Sequence, residues 1–402
     1  MIAEIKFKNI FSFRDETLLS FEADKSKDME SYHVVDIAPD LRLLKFGVIY
    51  GANASGKSNF IKGYNFFSSF ITRVPRSKSD HTGVMPFLLN KESKSDISEI
   101  ALVFYLMDNE LSPVKCVYNL RLKQAYVCSE MLVYYPSQQP AILFERSFED
   151  GVSTIKFGNK IKLSNAAKEE ITLKCLPNMS VFAAYMQVNV NVPEIERILA
   201  YFKDKTMYPI ASFMPDIVTK HDTLKDAEKK DYILNYLKEA DFNISDIYSQ
   251  DSSSEFVLPK IMYQHTITNN KGDKELFDFP EQLESDGTLR TMEISSRINE
   301  LIQNNAFLTI DEIESSLHPK LVEYVIERFL QESTHAQMLV TTHYDGLLAQ
   351  EDLLRKDNIW FTEKGADGAS ILYPLTDFKA LNRISSLQKA YKFGKFGAIP
   401  NI

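Results

Sequence analysis

The octet Gly51-Ala52-Asn53-Ala54-Ser55-Gly56-Lys57-Ser58 sets two glycines, a lysine and a serine at the spacing G-x-x-x-x-G-K-S. Glycines let the backbone close around phosphate oxygens so that successive N–H groups face the anion, and the lysine brings a cation to the β- and γ-phosphates. Nucleotide binding is therefore expected at Gly51, Asn53, Ala54, Ser55, Gly56, Lys57, Ser58 and Asn59, with the Ser58 hydroxyl on Mg²⁺. A second chemical group is Asp311-Glu312, which ends the apolar run Phe307-Leu308-Thr309-Ile310. Open α/β sheets bind ligands beyond the carboxyl ends of their strands. At such an end Asp311 would hold Mg²⁺ and Glu312 would polarise the water that attacks the γ-phosphate. An apolar strand ending in two acids is common by itself. Paired with the phosphate loop, it points to ATP as ligand and to hydrolysis, with Lys57 and Glu312 as catalytic groups.

These side chains need strands and helices to carry them. Ile2, Ile5 and Phe7 alternate as a strand does, and Leu18, Leu19 and Phe21 suggest another after the turn at Arg14-Asp15-Glu16. Residues 43–50 form a mostly apolar run, read as one buried parallel strand that ends at Gly51. Phe60, Ile61, Tyr64, Phe67 and Ile71 then fall three or four apart, giving one buried helix face. Between about 97 and 157, apolar segments at 100–106, 114–122, 131–135 and 141–144 alternate with turns such as Asp108-Asn109-Glu110 and Glu149-Asp150-Gly151. This pattern predicts an appended antiparallel sheet. From 192 to 240 the spacing of Ile195, Ile198, Leu199 and Phe202, and of Ile233, Leu234 and Leu237, is helical, and Asp251-Ser252-Ser253-Ser254 reads as a closing loop. An α/β rhythm then resumes: a helix over 288–303, a strand at 306–310, a helix opened by Pro319 and a strand at 338–341. The expected division is an ATPase lobe at 1–190, a helical insertion at 191–255 and a second ATPase lobe at 256–402.

The chain of 402 residues is 44% hydrophobic and carries a formal charge of −9. That balance argues against a protein that coats nucleic acid through a generally basic surface. The basic runs Lys6-Phe7-Lys8 and Lys392-Phe393-Gly394-Lys395 are short enough to be a solvated edge and tail. No apolar stretch approaches the roughly 18–20 residues of a membrane span, and Met1 to Lys6 lack the layout of a secretion signal, so the expected compartment is the cytoplasm. Cys116, Cys128 and Cys175 show no C-x-x-C pairing and are read as free thiols.

About 250 residues lie between Ser58 and Asp311, which suits a head whose lobes are divided by an insertion. Glu284-Ser285-Asp286-Gly287-Thr288 opens the helix before the Asp-Glu strand, Ser315-Ser316-Leu317-His318-Pro319 follows that strand, and Met338 to His343 ends the next one. In this order the motifs resemble the signature, D-loop and switch histidine of ABC-type ATPases of the SMC and RecF kind. The resemblance implies an α/β fold: an ABC-type P-loop ATPase head with an appended antiparallel β-sheet and an inserted helical subdomain. It also implies a head-to-head homo-oligomer. Ser285 and Gly287 of one subunit would complete the ATP site of another, and His343 would sense the γ-phosphate as a catalytic residue. Asp286 departs from the transporter signature, which has glycine there. Gln187 is the candidate Q-loop residue. Arg14 lies where SMC-like heads often place a basic residue near the phosphates, and it also reads as an exposed turn arginine.

Tyr50 to Asn59, Asp-Glu-Ile-Glu-Ser-Ser-Leu-His-Pro at 311–319, Thr-Thr-His at 341–343 and Asp-Asn-Ile-Trp-Phe-Thr-Glu-Lys at 357–364 resemble the ATPases of prokaryotic phage-defence and abortive-infection systems. These are of the RloA, AbiLi and AriA (PARIS) type, related to the ATPase part of OLD nucleases. That resemblance implies a sensor or regulatory ATPase that oligomerises and controls a separate toxic effector, such as a TOPRIM-type nuclease, with a phage protein as trigger. The 59 residues after His343 are too few for the nuclease that OLD proteins carry there. Two alternatives stay open: an SMC/RecF-like repair ATPase that clamps DNA, and a scaffold assembled by ATP.

Overall fold

The computed structural model describes residues 1–108, 111–211, 224–240, 242–250 and 260–400. The strands in its amino-terminal part are β1 (Ile2–Lys8), β2 (Thr17–Ser20), β3 (Val34–Ala38), β4 (Leu41–Leu44) and β5 (Phe46–Tyr50). They are followed by β6 (Ser98–Asp108), β7 (Leu111–Leu122), β8 (Val127–Tyr135), β9 (Ala141–Glu149) and β10 (Val152–Phe157). Farther on come β11 (Ile244–Gln250), β12 (Lys260–Thr268), β13 (Lys274–Pro280), β14 (Phe307–Ile310), β15 (Gln337–Thr342), β16 (Ile359–Lys364) and β17 (Ser370–Pro374).

The sheet that matters for chemistry has the order β14-β15-β5-β16-β17. Its first four strands are parallel, and β17 closes one edge antiparallel. All residues of β5, β14 and β15 are buried, as strands covered on both faces must be. The apolar run 43–50 is divided rather than continuous. Lys45 sends its ammonium to the carbonyls of Leu330 (3.2 Å) and Ser333 (2.8 Å), so β4 turns away to pair with β3 while β5 enters the parallel sheet. Those carbonyls close the helix Pro319–Glu332, where a cation is favoured by the helix dipole.

The helix Lys57–Thr72 separates this sheet from a seven-stranded antiparallel sheet of order β10-β9-β8-β7-β6-β1-β2. Phe60, Tyr64 and Phe67 are buried there, with rings against Phe7, Phe13, Phe202 and Phe307. On the other side, the helices Asp286–Asn304 and Pro319–Glu332 bury Ile294, Ile298, Val322, Val325 and Phe329 in one core with Val48, Leu308 and Val340.

The helices Pro193–Asp204 and Ala227–Glu239 bury Ile195, Ile198, Leu199, Phe202, Ile233 and Leu237, while Leu234 is half-buried. The stretch between 191 and 255 also contains β11, which joins β12 and β13 in a three-stranded sheet over Met292. The run 251–254 and two of the three turn residues at 108–110 lie outside the described residues. The three cysteines are free. Among the described residues no helix is long and apolar enough to cross a membrane.

Candidate active site

The register of the parallel sheet sets the geometry. Ile310 pairs with Val340, and Thr342 with Tyr50, so β14, β15 and β5 end nearly level. Beyond those ends lie Asp311-Glu312, His343 and Gly51. Residues about 290 apart in sequence are thus brought to one rim.

The phosphate loop is compact. A Cβ at Gly51 would fall 2.5 Å from Ser55 Oγ and 2.6 Å from the Thr362 carbonyl, so only glycine fits. Gly56 has φ +125° and would press a side chain into Ser370. Ser370 Oγ donates to the Ser55 carbonyl (2.6 Å) and lies 2.8 Å from Ser12 Oγ, while Thr362 Oγ1 reaches the same carbonyl at 3.2 Å. These three bracing hydroxyls carry no sequence signal. Asn53 and Ala54 are exposed, Ser58 and Asn59 half-buried, and the buried Ser55 hydroxyl has no hydrogen-bond partner among the described residues. Lys57 donates to the carbonyls of Gly51 (2.7 Å) and Ala52 (3.1 Å). Burial lowers its pKa, and the charges of Glu314, Glu312 and Asp311 oppose that shift.

Thr341 fixes the acids. Its hydroxyl donates to Asp311 Oδ1 (2.6 Å) and accepts from the Glu312 N–H (2.9 Å). Glu312 sits at φ 49°, a left-handed conformation that a non-glycine residue holds only when its surroundings impose it. Next to them Glu314 Oε1 accepts from the His343 N–H (2.6 Å) and lies 2.7 Å from His343 Nδ1. No motif in the sequence gives Thr341 or Glu314 a role of its own. A cleft of about 990 Å³ opens here, lined by Gly51, Ala52, Asn53, Ser55, His343 and the tail from Tyr391 to Pro400.

An apolar recess of about 180 Å³ lies beside the start of the helix that follows the loop, where Phe11, Met85, Phe87, Leu88 and Leu89 meet Asn59. Four separate stretches of the chain line it, around residues 11–12, 59, 85–89 and 364–368, so no spacing could reveal it. Ser58 and Asp311 supply a hydroxyl and a carboxylate, oxygen donors of the kind Mg²⁺ takes alongside phosphates and water. Among the described residues no cluster of three or more His, Cys, Asp or Glu could hold a metal by itself. The donor set fits Mg²⁺ delivered with a nucleotide.

Ser285 and Gly287 are not brought to the phosphate loop of their own chain. Ser285 caps the helix Asp286–Asn304 by accepting from the Thr288 N–H at 3.1 Å, and it is exposed. Gly287 abuts Ser316, whose carbonyl would lie 3.0 Å from an added Cβ. Gln187 bonds back to the Ala183 carbonyl (3.0 Å) and is exposed, and it does not line the cleft. Arg14 is ion-paired to Asp15 (2.8 Å) and Asp367 (2.6 Å) and lies 6.0 Å over the Phe87 ring.

The family described as "AAA domain, putative AbiEii toxin, Type IV TA system" matches residues 46–349. This chain belongs to that family. The matched span of the AAA domain begins with β5 and contains the phosphate loop, both acids, the Ser285 helix cap and His343. Among solved structures, the chain is similar to the SMC head domain from Thermotoga maritima, at 13% identity over 93% of this chain and 98% of that one, with a TM-score of 0.42. A second is an Smc head domain with an extended coiled coil, bound to the C-terminal domain of ScpA derived from Pyrococcus furiosus. It shows 14% identity over 98% of both chains and a TM-score of 0.42. A third, an SmcHead bound to the C-winged helix domain of ScpA, shows 16% identity over 97% of this chain and 99% of that one, with a TM-score of 0.39. A comparison with curated proteins returns no match.

Proposed function

We propose that this AAA protein binds ATP with Mg²⁺ at the loop 51–58 and hydrolyses it, and that it serves as the cytoplasmic sensor or regulatory subunit of an antiphage system of the RloA, AbiLi or AriA kind. The observation that carries the ATPase reading is the convergence of Lys57 with Asp311 and Glu312, the acids being tied to one threonine. Lys57 leaves the Gly51 and Ala52 carbonyls for the β- and γ-phosphates. Ser58 and Asp311 hold Mg²⁺, which when bound neutralises phosphate charge. Glu312 takes a proton from the attacking water as its oxygen bonds to the γ-phosphorus and the bond to the β-phosphate oxygen breaks, releasing ADP and phosphate. The recess at Phe11, Met85 and Phe87 takes the adenine ring.

In this reading the site is completed by a second copy, whose exposed Ser285 and half-buried Gly287 bring a helix amino terminus to the γ-phosphate, while His343 senses that phosphate from the cleft. The family description, with its toxin and toxin–antitoxin terms, supports a role in growth arrest or abortive infection. The toxic effector is a separate chain, a TOPRIM-type nuclease being one candidate, and a phage protein is the trigger. Phosphate release by wild type, Lys57→Ala and Glu312→Gln tests the chemistry. Lys57→Ala should lose nucleotide binding, and Glu312→Gln should bind ATP and retain it uncleaved. Equal turnover in wild type and Glu312→Gln would remove Glu312 from the mechanism.

A further inference from the structure

We infer that Glu314 is the positioning residue for His343, holding its ring so that Nε2 is presented to the phosphate cleft; this rests on the proposed role of His343 at that site. Glu314 lies three residues beyond Asp311, in the turn that leaves β14, and its side chain is largely buried. One oxygen, Oε1, meets both the backbone N–H of His343 and its ring Nδ1. Two contacts from one carboxylate oxygen fix where β15 ends and how the ring is turned. The other oxygen, Oε2, is buried without a hydrogen-bond partner among the described residues, and so is the nearby Tyr50 hydroxyl.

A carboxylate placed only to stabilise the turn would be expected to satisfy both oxygens. Among the described residues, both contacts of the carboxylate go to His343. The histidine side chain is still 57% exposed and lines the cleft with Gly51, Ala52 and Asn53. With an ionised carboxylate on Nδ1, that nitrogen carries a proton, and Nε2, on the far side of the ring, is the position left for a ligand. An anionic ligand in the cleft would find the histidine already turned.

The test is a double-mutant cycle on the full chain with Glu314→Ala, His343→Ala and the combination, reading kcat, KM and binding of a fluorescent ATP analogue. Loss of a group that orients a functional histidine typically lowers activity on the order of 10- to 100-fold. Glu314→Ala should therefore lower kcat at least about tenfold, with analogue affinity held within about threefold. The double variant should be no worse than His343→Ala alone, since residues acting through one another are not additive. The isosteric Glu314→Gln, whose amide oxygen can still accept from His343, should retain more turnover than Glu314→Ala and guards against a folding defect. Additive losses, or wild-type turnover in Glu314→Ala, would overturn the inference while leaving the role of His343 standing. Wild-type turnover in His343→Ala would instead remove that role, and the inference with it.

Discussion

Replacing Thr341 with valine keeps shape and burial but deletes the hydroxyl that ties both acids to β15. Two hydrogen bonds go: the one donated to the Asp311 carboxylate at 2.6 Å and the one accepted from the Glu312 N–H at 2.9 Å. A bond to a charged group contributes about 1.5–3 kcal/mol and a neutral one about 0.5–1.5 kcal/mol. Together they amount to roughly 2–4.5 kcal/mol, and they act where Glu312 holds a left-handed backbone. If about 2 kcal/mol of this is spent on placing the acids, kcat should fall roughly 30-fold, since about 1.4 kcal/mol is tenfold in rate. The Mg²⁺ concentration for half-maximal turnover should rise as well, because Asp311 is the proposed ligand. The assay is steady-state phosphate release across a Mg²⁺ titration, with nucleotide binding measured in parallel without metal, where little change is expected. Thr309→Val on the neighbouring strand is the matched control. Its hydroxyl is buried without a partner among the described residues, so the same substitution removes no bond seen there and should leave turnover and stability as they are. Wild-type kcat and Mg²⁺ dependence in Thr341→Val, or equal damage from Thr309→Val, would refute the reasoning.

Mixing inactive Lys57→Ala and Ser285→Arg subunits should restore part of the ATPase activity, because one composite site in a mixed dimer then has both halves intact; mixtures no better than their components, despite demonstrated exchange, would count against a shared site. Met85→Asp, which puts a charge in the apolar recess beside Asn59, should weaken ATP binding about tenfold, the equivalent of withdrawing a small apolar contact, but leave tripolyphosphate binding unchanged. Parallel losses of both ligands would place the base elsewhere. His33 is fully buried, and burial, helped by Arg355, lowers its pKa from 6.5 to about 4. The folded protein thus keeps it neutral, so its contribution is intact above pH 6.5 and is lost as pH falls toward 4, amounting to about 2 kcal/mol at pH 5. His33→Phe should show a smaller fall in urea stability between pH 7 and pH 5 than wild type, and equal falls would exclude His33 as the source.

What the sequence discloses about this molecule follows from how local each feature is. The phosphate loop is contiguous, and β5 and β14 are short buried strands whose apolar runs need no partner to be recognised. The sheet β11-β12-β13 was hidden for a physical reason. Ile244 and Ile247, three apart, carry helical spacing, yet the pairing of β11 with β12 shifts register between Ile244 and Asp246, and both isoleucines reach the same core. Lys45 breaks an apolar run only because the last carbonyls of a helix nearly 290 residues away are there to receive it. The active site divides in the same way. Lys57, Ser58, Asp311 and Glu312 declare their chemistry through their neighbours in sequence. The roles of Thr341 and Glu314 depend on β15 lying between the strands that end in Asp311 and Gly51, an order fixed by packing. A motif can name the group that reacts. The hydrogen bonds restraining that group come from whichever strand the fold inserts beside it, which is why residues 29 and 30 positions away are expected to govern turnover here.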